Sequence, residues 1–471
     1  MNKQVLAYAR DSLKISSAFA LCPLDGRYWE ISEKLFPYFS EYALVAHRVE
    51  VEVYWLLYLC KNVESKLLND VYNSNPKEVS NQIVSIYTDF GLPSFLRVKE
   101  FEKTLNHDVK AVELYVSEQL EKKGLERLKS FVHIGCTSED ISNVAYGLMI
   151  SKALQEVWIP TAEKLIEVLE LLSVNFANLP MLAHTHGQPA TPTTVGKELK
   201  VFAFRLKKAL AAVKEIEITA KFSGATGNYA AMDVAFPNEN WEHHAIIFIE
   251  EYIGLSYNPV TTQIESHDYV CSLADAISRF NNIVVGFDWD MWLYICLNYF
   301  AQEAKTGEVG SSTMPHKVNP IKFENSLANA GVSTAIFRFL SQKLSSSRLQ
   351  RDLSDSSTQR NIGMAFGYSL LAIENTLNGL KRVHPNEMKL KEDLEQNYAV
   401  LAEPIQTMLR KYGNPEAYNT LKELTRGKEI SKENIEAFIQ SLDALSVEDK
   451  EMLLSLSPSD YTGYAAQICY L

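Results

Sequence analysis

The sequence predicts a mainly α protein, and the spacing of its prolines and apolar residues carries that prediction. No proline occurs in 94–159, 193–236, 260–314 or 321–384, although proline normally breaks a helix interior. Within these segments apolar residues fall three or four apart, as they do on one face of an amphipathic helix. Helices of about 30 residues need other long helices to cover them. We therefore expect a central long-helix bundle, shared between subunits.

Three predicted helices show this spacing most clearly. Their apolar positions are Leu165, Ile166, Leu169, Leu172 and Phe176, then Leu199, Phe202, Leu206, Leu210, Val213 and Ile216, then Tyr269, Leu273, Ile277, Phe280, Val284, Phe287 and Met291. The stretch VEVEV at 49–53 alternates as a strand does, but its flanks have helical spacing, so we predict helix.

Two places in the chain predict domain boundaries. The clearer boundary is a charged run around 381–398. The less distinct boundary lies near Gly124–Lys129. The predicted domains are an N-terminal helical domain at 1–127, a central long-helix bundle at 128–380 and a C-terminal helical domain at 381–471.

Composition narrows the classes of function. The net charge of −12 disfavours nucleic-acid binding, because phosphate affinity depends on clustered Lys and Arg. The six cysteines are scattered and form no C-x-x-C pair, so neither a zinc site nor a disulfide framework is expected. The N-terminal segment lacks the apolar core of a signal peptide, and no apolar run is long enough to span a membrane. We expect a cytoplasmic protein that does not bind membranes.

Two polar clusters have the pattern of helix starts. In TLNHDVKAVE (104–113) we predict Asn106 as the N-cap, with Asp108 favouring the helix dipole. In FVHIGCTSEDISN (131–143), Asp140 completes a capping box with Thr137, and the free amides of such a helix start bind anions. From the residues alone, His133 is interpreted as a core histidine.

A third cluster is AHTHGQPATPTTVGKE (183–198). The pair His184 and His186 lacks acidic or cysteine ligands at familiar spacings, so metal binding is disfavoured. The prolines and glycines predict a rigid loop that holds a side chain toward a cleft. A histidine there is a suitable general acid or base.

The fourth cluster is GEVGSSTMPHKVNP (307–320), which interrupts the helical pattern. It matches neither phosphate-binding glycine motif. Its glycines allow the backbone to move, and a serine on a closing loop reaches a substrate from which water is excluded. Lys317 and Asn319 supply a cation and an amide for developing negative charge.

Residues 310–320, GSSTMPHKVNP, resemble the signature loop of the fumarase/aspartase superfamily, G-S-S-x-M-P-x-K-x-N-P, at every fixed position. The resemblance implies a helical homotetramer that releases fumarate by β-elimination. Six further stretches resemble the bacterial adenylosuccinate lyase family within it and occur in order along almost the whole chain. They are LDGRY (24–28), TLNHDVKAVE, CTSEDISN, THGQPATP (185–192), TTQIESHDY (261–269) and LAEPIQTMLRKYG (401–413).

The adenylosuccinate lyase family acts twice in purine synthesis, and the resemblance implies the same chemistry here. One reaction converts adenylosuccinate to AMP, and the other converts the succinyl-carboxamide imidazole ribotide to its carboxamide. Ser311 matches the base, Lys317 and Asn319 match the groups that stabilise the carbanion, and His186 matches the proton donor. His107 matches a helper of His186 or a ligand of the succinyl carboxylate. No cofactor and no metal are implied.

The resemblance also implies a binding set, assembled with the catalytic residues from three subunits. The nucleotide-phosphate positions are Arg27, Tyr28, Ser347, Arg351, Ser356 and Arg360, and the other substrate positions are Asn106, Asp108, His133, Thr137, Ser138, Gln263, Ser312 and Asn325. Paired arginine donors suit a dianionic phosphate. One departure is His184, where the bacterial pattern carries arginine.

Three alternatives stay open at this point. Another fumarate-releasing lyase, such as argininosuccinate lyase, would not need the phosphate set that includes Arg27, Ser347 and Arg351. A helical tetramer that has lost catalysis would not need Ser311 and His186. A nucleic-acid-binding helical scaffold is disfavoured by the acidic charge.

Overall fold

The computed structural model describes residues 20–303, 313–314, 316–425 and 430–471, with the backbone alone at 423–425. The first helices are α1 Trp29–Ser32, α2 Phe36–Phe39, α3 Glu41–Asn62, α4 Lys66–Tyr72, α5 Pro76–Thr88, α6 Leu92–Leu105, α7 Asp108–Lys122 and α8 Ser138–Ala153. Those that follow are α9 Ile159–Asn175, α10 Val195–Lys214, α11 Ala230–Ala235, α12 Trp241–Ile247, α13 Asp268–Cys296, α14 Ile321–Leu344, α15 Ser354–Gln359 and α16 Ile362–Leu380. The last are α17 Glu387–Gln396, α18 Ala402–Lys411, α19 Ala417–Thr425, α20 Lys432–Gln440, α21 Val447–Ser455 and α22 Ala465–Ile468.

Strands are few and short among the described residues, where they form three two-stranded sheets. They are β1 Pro180–Thr185, β2 Gln188–Thr194, β3 Thr219–Ala220, β4 Ser256–Tyr257, β5 Phe300–Gln302 and β6 Val383–Pro385. β1 pairs antiparallel with β2, β3 parallel with β4, and β5 antiparallel with β6. The mainly α prediction is confirmed. None of the described helices is both long enough and apolar enough to cross a membrane.

The chain divides into two compact units. The first comprises the described residues up to 162 together with 209–282 and 328–374, and the second comprises those of 163–208, 283–327 and 375–471. The division into three domains at 127 and 380 stays a prediction.

The core of the first unit surrounds α3. Val49, Val51 and Val53 are fully buried although they alternate along the sequence, because this helix is enclosed on nearly all sides. This confirms the helix predicted over VEVEV and explains its strand-like alternation. Trp55 of the same helix contacts Phe222 and Phe248, with ring centroids 4.5 and 5.0 Å away. The first contact is tilted and the second is edge-on, and aromatic contacts at these distances add to the stabilisation from burial.

A buried hydrogen-bonded layer joins helices of the first unit. The Asn281 amide on α13 donates to the Ser333 hydroxyl on α14 at 3.0 Å and accepts from the Ser369 hydroxyl on α16 at 2.7 Å. The indole of Trp158 donates to Ser369 at 2.9 Å. Asn281, Ser333 and Ser369 are fully buried, so each bond satisfies a polar group that has no access to water.

The second unit contains a similar layer. The Thr376 hydroxyl donates to the Asp288 carboxyl at 2.9 Å and lies 2.8 Å from the Ser326 hydroxyl. Burial raises the pKa of Asp288 well above its usual value, and the hydroxyls of Ser326 and Thr376 oppose that shift. Asp288, Ser326 and Thr376 are each seven residues from Asn281, Ser333 and Ser369 on the same three helices. Polar residues therefore repeat with the heptad spacing that fixes helix register.

Candidate active site

His186 lies at the tip of the β1–β2 hairpin in the second unit, where its side chain is exposed. The prediction of a loop over 183–198 is wrong, because most of this stretch forms β1, β2 and the start of α10. His186 and Gly187 are the two turn residues between Thr185 and Gln188, with φ angles of 54° and 73°. Two positive φ angles define the type I′ turn, whose twist matches that of antiparallel strands. The imidazole is thus presented on a short, defined turn.

The residue that departs from the bacterial pattern, His184, lies on β1 two residues before the turn. Its ring centroid is 5.9 Å from that of Tyr299, which belongs to the same unit. Burial and Asp393 raise the pKa of Tyr299 above its usual value. The exposed His184 therefore lies beside a tyrosine ring near the turn end of β1.

The signature loop is described in part. Ser311 and Ser312 lie outside the described residues. The backbone amide of Lys317 donates to the carbonyl of Met314 at 3.1 Å, and the Lys317 side chain is exposed. Asn319 is half-buried and precedes α14, and Asn325 is half-buried in the first turns of that helix. His186, Lys317, Asn319 and Asn325 all belong to the second unit, and the other described candidates belong to the first.

The N-cap in this segment lies one residue after the predicted position. The N-cap of α7 is His107, whose Nδ1 accepts from the amide of Lys110 at 3.1 Å. Asn106 instead ends α6 with a φ of 51°, a conformation that asparagine tolerates better than most residues. The prediction of Asn106 as the N-cap is therefore wrong, and the side chains of both residues are exposed.

Asp108 binds two arginines. One oxygen of its carboxylate accepts from Arg48 at 2.7 Å and from Arg360 at 3.2 Å. Burial acts to raise the pKa of Asp108, but the charge and hydrogen bond of Arg48 outweigh it, and the pKa is lowered. Arg360 also donates to Glu41 at 2.7 Å. The structure thus joins two predicted site residues, Asp108 and Arg360.

Arg360 lines a cavity of about 370 Å³ in the first unit. The walls combine aromatic rings, among them Trp29 and Phe39, with the carboxyls of Asp25 and Glu41. Burial raises the pKa of Asp25. Two more predicted residues lie near in sequence, with the exposed Arg27 guanidinium 5.9 Å from the centroid of the Tyr28 ring.

His133 is held by a buried carboxylate. Its Nδ1 lies 2.6 Å from an oxygen of Glu52, which is fully buried on α3, and its φ is 60°. Burial lowers the pKa of His133, but the hydrogen bond and charge of Glu52 more than compensate, and the pKa is raised. The His133 ring keeps some exposure, so the pairing with Glu52 favours the imidazolium form at an accessible position.

Thr137 and Ser138 begin α8 as predicted. The Thr137 amide donates to the Asp140 carboxylate at 2.8 Å, which is one half of the predicted capping box. Both Thr137 and Ser138 are half-buried.

Arg351 contacts two residues from distant parts of the sequence. One nitrogen donates to Glu139 at 2.8 Å, and another lies 3.4 Å from the Gln263 side-chain oxygen. Burial is the main cause of the raised pKa of Glu139, and the Arg351 charge opposes it. Of the other predicted phosphate positions, Ser347 accepts from the amide of Asp352 at 2.9 Å, and Ser356 lies half-buried in α15.

Among the partners in this site that were absent from the sequence prediction are Arg48, Glu52 and Glu139. Each is separated from the candidate it binds by at least 60 residues of sequence. The signal available was a charged residue inside an otherwise apolar helix, as Arg48 and Glu52 are in α3. Within the described part of the chain, no group of three or more His, Cys, Asp or Glu residues is placed to hold a metal ion.

Two family models match successive parts of the chain and together cover most of it. The model described as "Lyase" matches residues 26–336, and "Adenylosuccinate lyase C-terminal" matches residues 347–462. An adenylosuccinate lyase from Legionella pneumophila (strain Corby) is 45% identical over 459 residues, which cover 97% of this chain and 99% of that protein. The chain belongs to the adenylosuccinate lyase family. The enzyme of that name from Escherichia coli (strain K12) is 43% identical over 454 residues, 96% of this chain and 98% of that protein.

The fold of this adenylosuccinate lyase family member is also found in a more distant lyase. A crystal structure of a fumarate lyase from Mesorhizobium sp. BNC1 matches with a TM-score of 0.75 at 17% sequence identity, covering 93% of this chain and 96% of that one. The TM-score of 0.75 shows a shared fold. The predicted mainly α architecture of long helices is therefore confirmed.

Proposed function

We propose that the protein cleaves adenylosuccinate to AMP and fumarate, and the succinyl-carboxamide imidazole ribotide to its carboxamide and fumarate. Membership of the adenylosuccinate lyase family over nearly the whole chain carries this proposal. The full match of GSSTMPHKVNP to the signature loop supports a working enzyme over one that has lost catalysis. Both reactions serve purine and AMP synthesis, and neither needs a cofactor.

The first step removes a proton from the carbon next to one succinyl carboxylate. Ser311 is the proposed base, and its hydroxyl must be activated by positive surroundings, because serine is otherwise a weak base. The charge left on the carbon spreads into the carboxylate. Lys317 and Asn319 are proposed to stabilise that charge, as prearranged donors do in an oxyanion hole.

The second step breaks the carbon–nitrogen bond and protonates the departing nitrogen. His186 is the proposed proton donor, and its place on a type I′ turn supports that role because the turn fixes the direction of the side chain. His107 is proposed to assist His186 or to hold a succinyl carboxylate. The raised pKa of His133 supports a place beside the succinyl carboxylates, since an imidazolium ion attracts them.

Nucleotide binding is proposed for the arginine-rich part of the first unit. Arg351 and Arg360 are each held by carboxylates, which keep the guanidinium groups oriented before substrate arrives. With Arg27, Tyr28, Ser347 and Ser356 they form the proposed phosphate site. Asn106, Asp108, Thr137, Ser138, Gln263, Ser312 and Asn325 are the remaining proposed substrate contacts.

A homotetramer with active sites shared between subunits is the proposed assembly. Large apolar side chains are exposed along helices of the second unit, including Leu171 on α9, Phe204 on α10 and Trp289 on α13. Apolar patches of this kind mark protein–protein contacts. A cytoplasmic location remains part of the proposal.

Substrate choice tests the proposed reaction. Purified protein is incubated separately with adenylosuccinate, the succinyl-carboxamide imidazole ribotide and argininosuccinate, and fumarate is measured. We expect the two ribotides to be cleaved and argininosuccinate to be left intact. Cleavage of argininosuccinate alone would overturn the proposal.

A second experiment tests the assembly. Trp289→Glu places a charge in the exposed apolar face, and Glu433→Gln on α20 is a surface control. We expect the Trp289 variant to sediment as smaller species and to lose activity, while the control stays tetrameric and active. A monomer that keeps wild-type activity would overturn the shared-site proposal.

A further inference from the structure

Lys221 is a fully buried cation whose three ammonium hydrogens all have acceptors. The Lys221 Nζ lies 2.8 Å from an Asp140 oxygen and donates to the carbonyl oxygens of Gly224 and Gln263, each at 2.9 Å. A lysine ammonium has three donors, so the set is complete. Lys221 therefore ties the backbone of Gln263, a proposed substrate contact, to the first turn of α8.

Asp140 is equally buried and has several donors besides Lys221. Its carboxylate accepts from the amides of Thr137 at 2.8 Å and Ser223 at 2.9 Å. Removing one partner of a buried ion pair leaves an uncompensated charge, so these bonds hold their segments strongly. The proposed substrate contact Thr137 is fixed by the same carboxylate.

Glu139, the neighbour of Asp140, fixes a second proposed contact. It is buried and accepts from Arg351 at 2.8 Å. Arg351 in turn lies 3.4 Å from the side-chain oxygen of Gln263. The contacts close a ring from Glu139 through Arg351, Gln263 and Lys221 back to Asp140.

We propose that Glu139 and Lys221 are positioning residues for substrate binding, Glu139 acting through Arg351 and Lys221 acting through Gln263. The proposal rests on the proposed function, because it assigns these partners to the nucleotide site of that reaction. Neither residue needs to touch substrate. Holding a guanidinium and an amide in place beforehand removes the ordering cost that binding would otherwise carry.

The test compares Glu139→Ala with Glu139→Gln, which keeps an acceptor oxygen for Arg351. With adenylosuccinate, we expect Glu139→Ala to raise KM about tenfold to a hundredfold with kcat changed by less than about threefold. Glu139→Gln is expected to recover most of that loss. A purely structural role would lower the fraction of folded enzyme, and therefore kcat, and leave KM unchanged.

The phosphate-free nucleoside of the same substrate, succinyladenosine, adds a second readout. Because Arg351 is a proposed phosphate contact, Glu139→Ala is expected to change kcat/KM for succinyladenosine by less than about threefold. Glu118→Ala is the matched control, since Glu118 binds Arg97 at 3.1 Å on the surface of the same unit. We expect it to behave as wild type.

Lys221→Met tests the other residue, and we expect a raised KM there too. If Lys221→Met does not fold, the comparison of Glu139→Ala with Glu139→Gln decides the proposal. An active wild-type enzyme whose KM is unchanged in Glu139→Ala would overturn the positioning role and leave the proposed function intact. A folded wild-type protein that cleaves no adenylosuccinate would overturn the proposed function and the positioning role together.

Discussion

His186 and Gly187 are consecutive residues with positive φ angles, and together they make the whole turn between β1 and β2. A positive φ is unfavourable for most side chains, and asparagine tolerates it better than histidine. Histidine at this position therefore has a cost in stability that its proposed role as proton donor would explain.

The substitution His186→Asn distinguishes the contribution of residue 186 to turn stability from its proposed role as proton donor. The variant keeps a residue suited to positive φ, so we expect its melting temperature to stay within a few degrees of wild type. It lacks the proposed proton donor, so kcat should fall by about 10² to 10⁴. Steady-state kinetics with adenylosuccinate measure kcat, and thermal unfolding measures the melting temperature. Wild-type kcat in a folded variant would contradict the role given to His186.

Gly187→Ala tests the turn itself. Among the described residues, no atom lies within 4 Å of the position of the added methyl group, so we attribute the effect to the φ of 73°. We expect a loss of about 1 kcal/mol in stability and a fall in kcat larger than the fall in folded fraction. Gly254→Ala, at a φ of 83° with equally open surroundings, is the control for stability. Equal kcat losses in both variants would refute the special role of the hairpin turn.

Glu52 determines the protonation of His133. The pKa of His133 is raised, so its charge stabilises the fold below the usual pKa of histidine, and this stabilisation is lost as pH rises through the raised value. We expect Glu52→Gln to lower the pKa of His133, measured by NMR titration of 13C-labelled histidines. His243, which is exposed, supplies a reference resonance. A His133 titration curve that does not move would contradict the pairing.

The lowered pKa of Asp108 predicts that the folded protein loses stability in acid. Its lowered pKa means that its contribution is complete above the usual pKa of aspartate and disappears as pH falls through the lowered value. Asp108→Asn should cost about 2 kcal/mol at pH values near 6 and much less near pH 2. Urea unfolding at the two pH values measures this.

The control for that experiment is Asp70→Asn, which alters an exposed ion pair with Arg127 at 3.7 Å. Exposed pairs of this kind contribute about 1 kcal/mol or less. A cost for Asp108→Asn that is the same at both pH values would show that the arginine contacts do not depend on its charge.

The buried polar layer of the first unit predicts a specific loss of stability. Asn281→Ala removes one acceptor and one donor from a site without water, so we expect a cost of about 2 to 4 kcal/mol. Asn419→Ala, at an exposed position on α19, should change stability by less than about 0.5 kcal/mol. Equal effects of the two substitutions on chemical unfolding would contradict a structural role for the layer.

How far the sequence predicts this structure depends on the range of the interactions. Periodicity predicts helices such as α13, because burial of one face follows from residues three and four apart. The β1–β2 hairpin was not predicted because its strands contain Pro189 and Pro192, which normally argue against a strand. They lie opposite His184 and Leu182, and proline is tolerated there because both strands of a two-stranded sheet are edge strands. The N-cap of α7 was misassigned by one residue, since a histidine ring nitrogen replaces the usual oxygen.

The resemblance of the sequence to a family named the candidate residues, which remain predictions, but it did not name their partners. Nothing local relates Arg48 to Asp108 or Glu139 to Arg351, because tertiary folding brings those pairs together across 60 and 212 residues. The ring of contacts through Glu139, Arg351, Gln263, Lys221 and Asp140 could not be predicted for the same reason, because its members are far apart in sequence. Ser311 and Ser312 lie outside the described residues, so their roles remain proposals from the signature loop.

The most direct measurement of the central claim is the initial rate of fumarate and AMP formation from adenylosuccinate by wild type, Ser311→Ala and His186→Ala, with the assembly of each protein verified. We predict rapid formation of both products by wild type and a loss of about 10² or more in kcat for each variant. Formation of both products at the wild-type rate by Ser311→Ala would contradict the elimination mechanism. A folded wild-type assembly that forms neither product would contradict the proposed function itself.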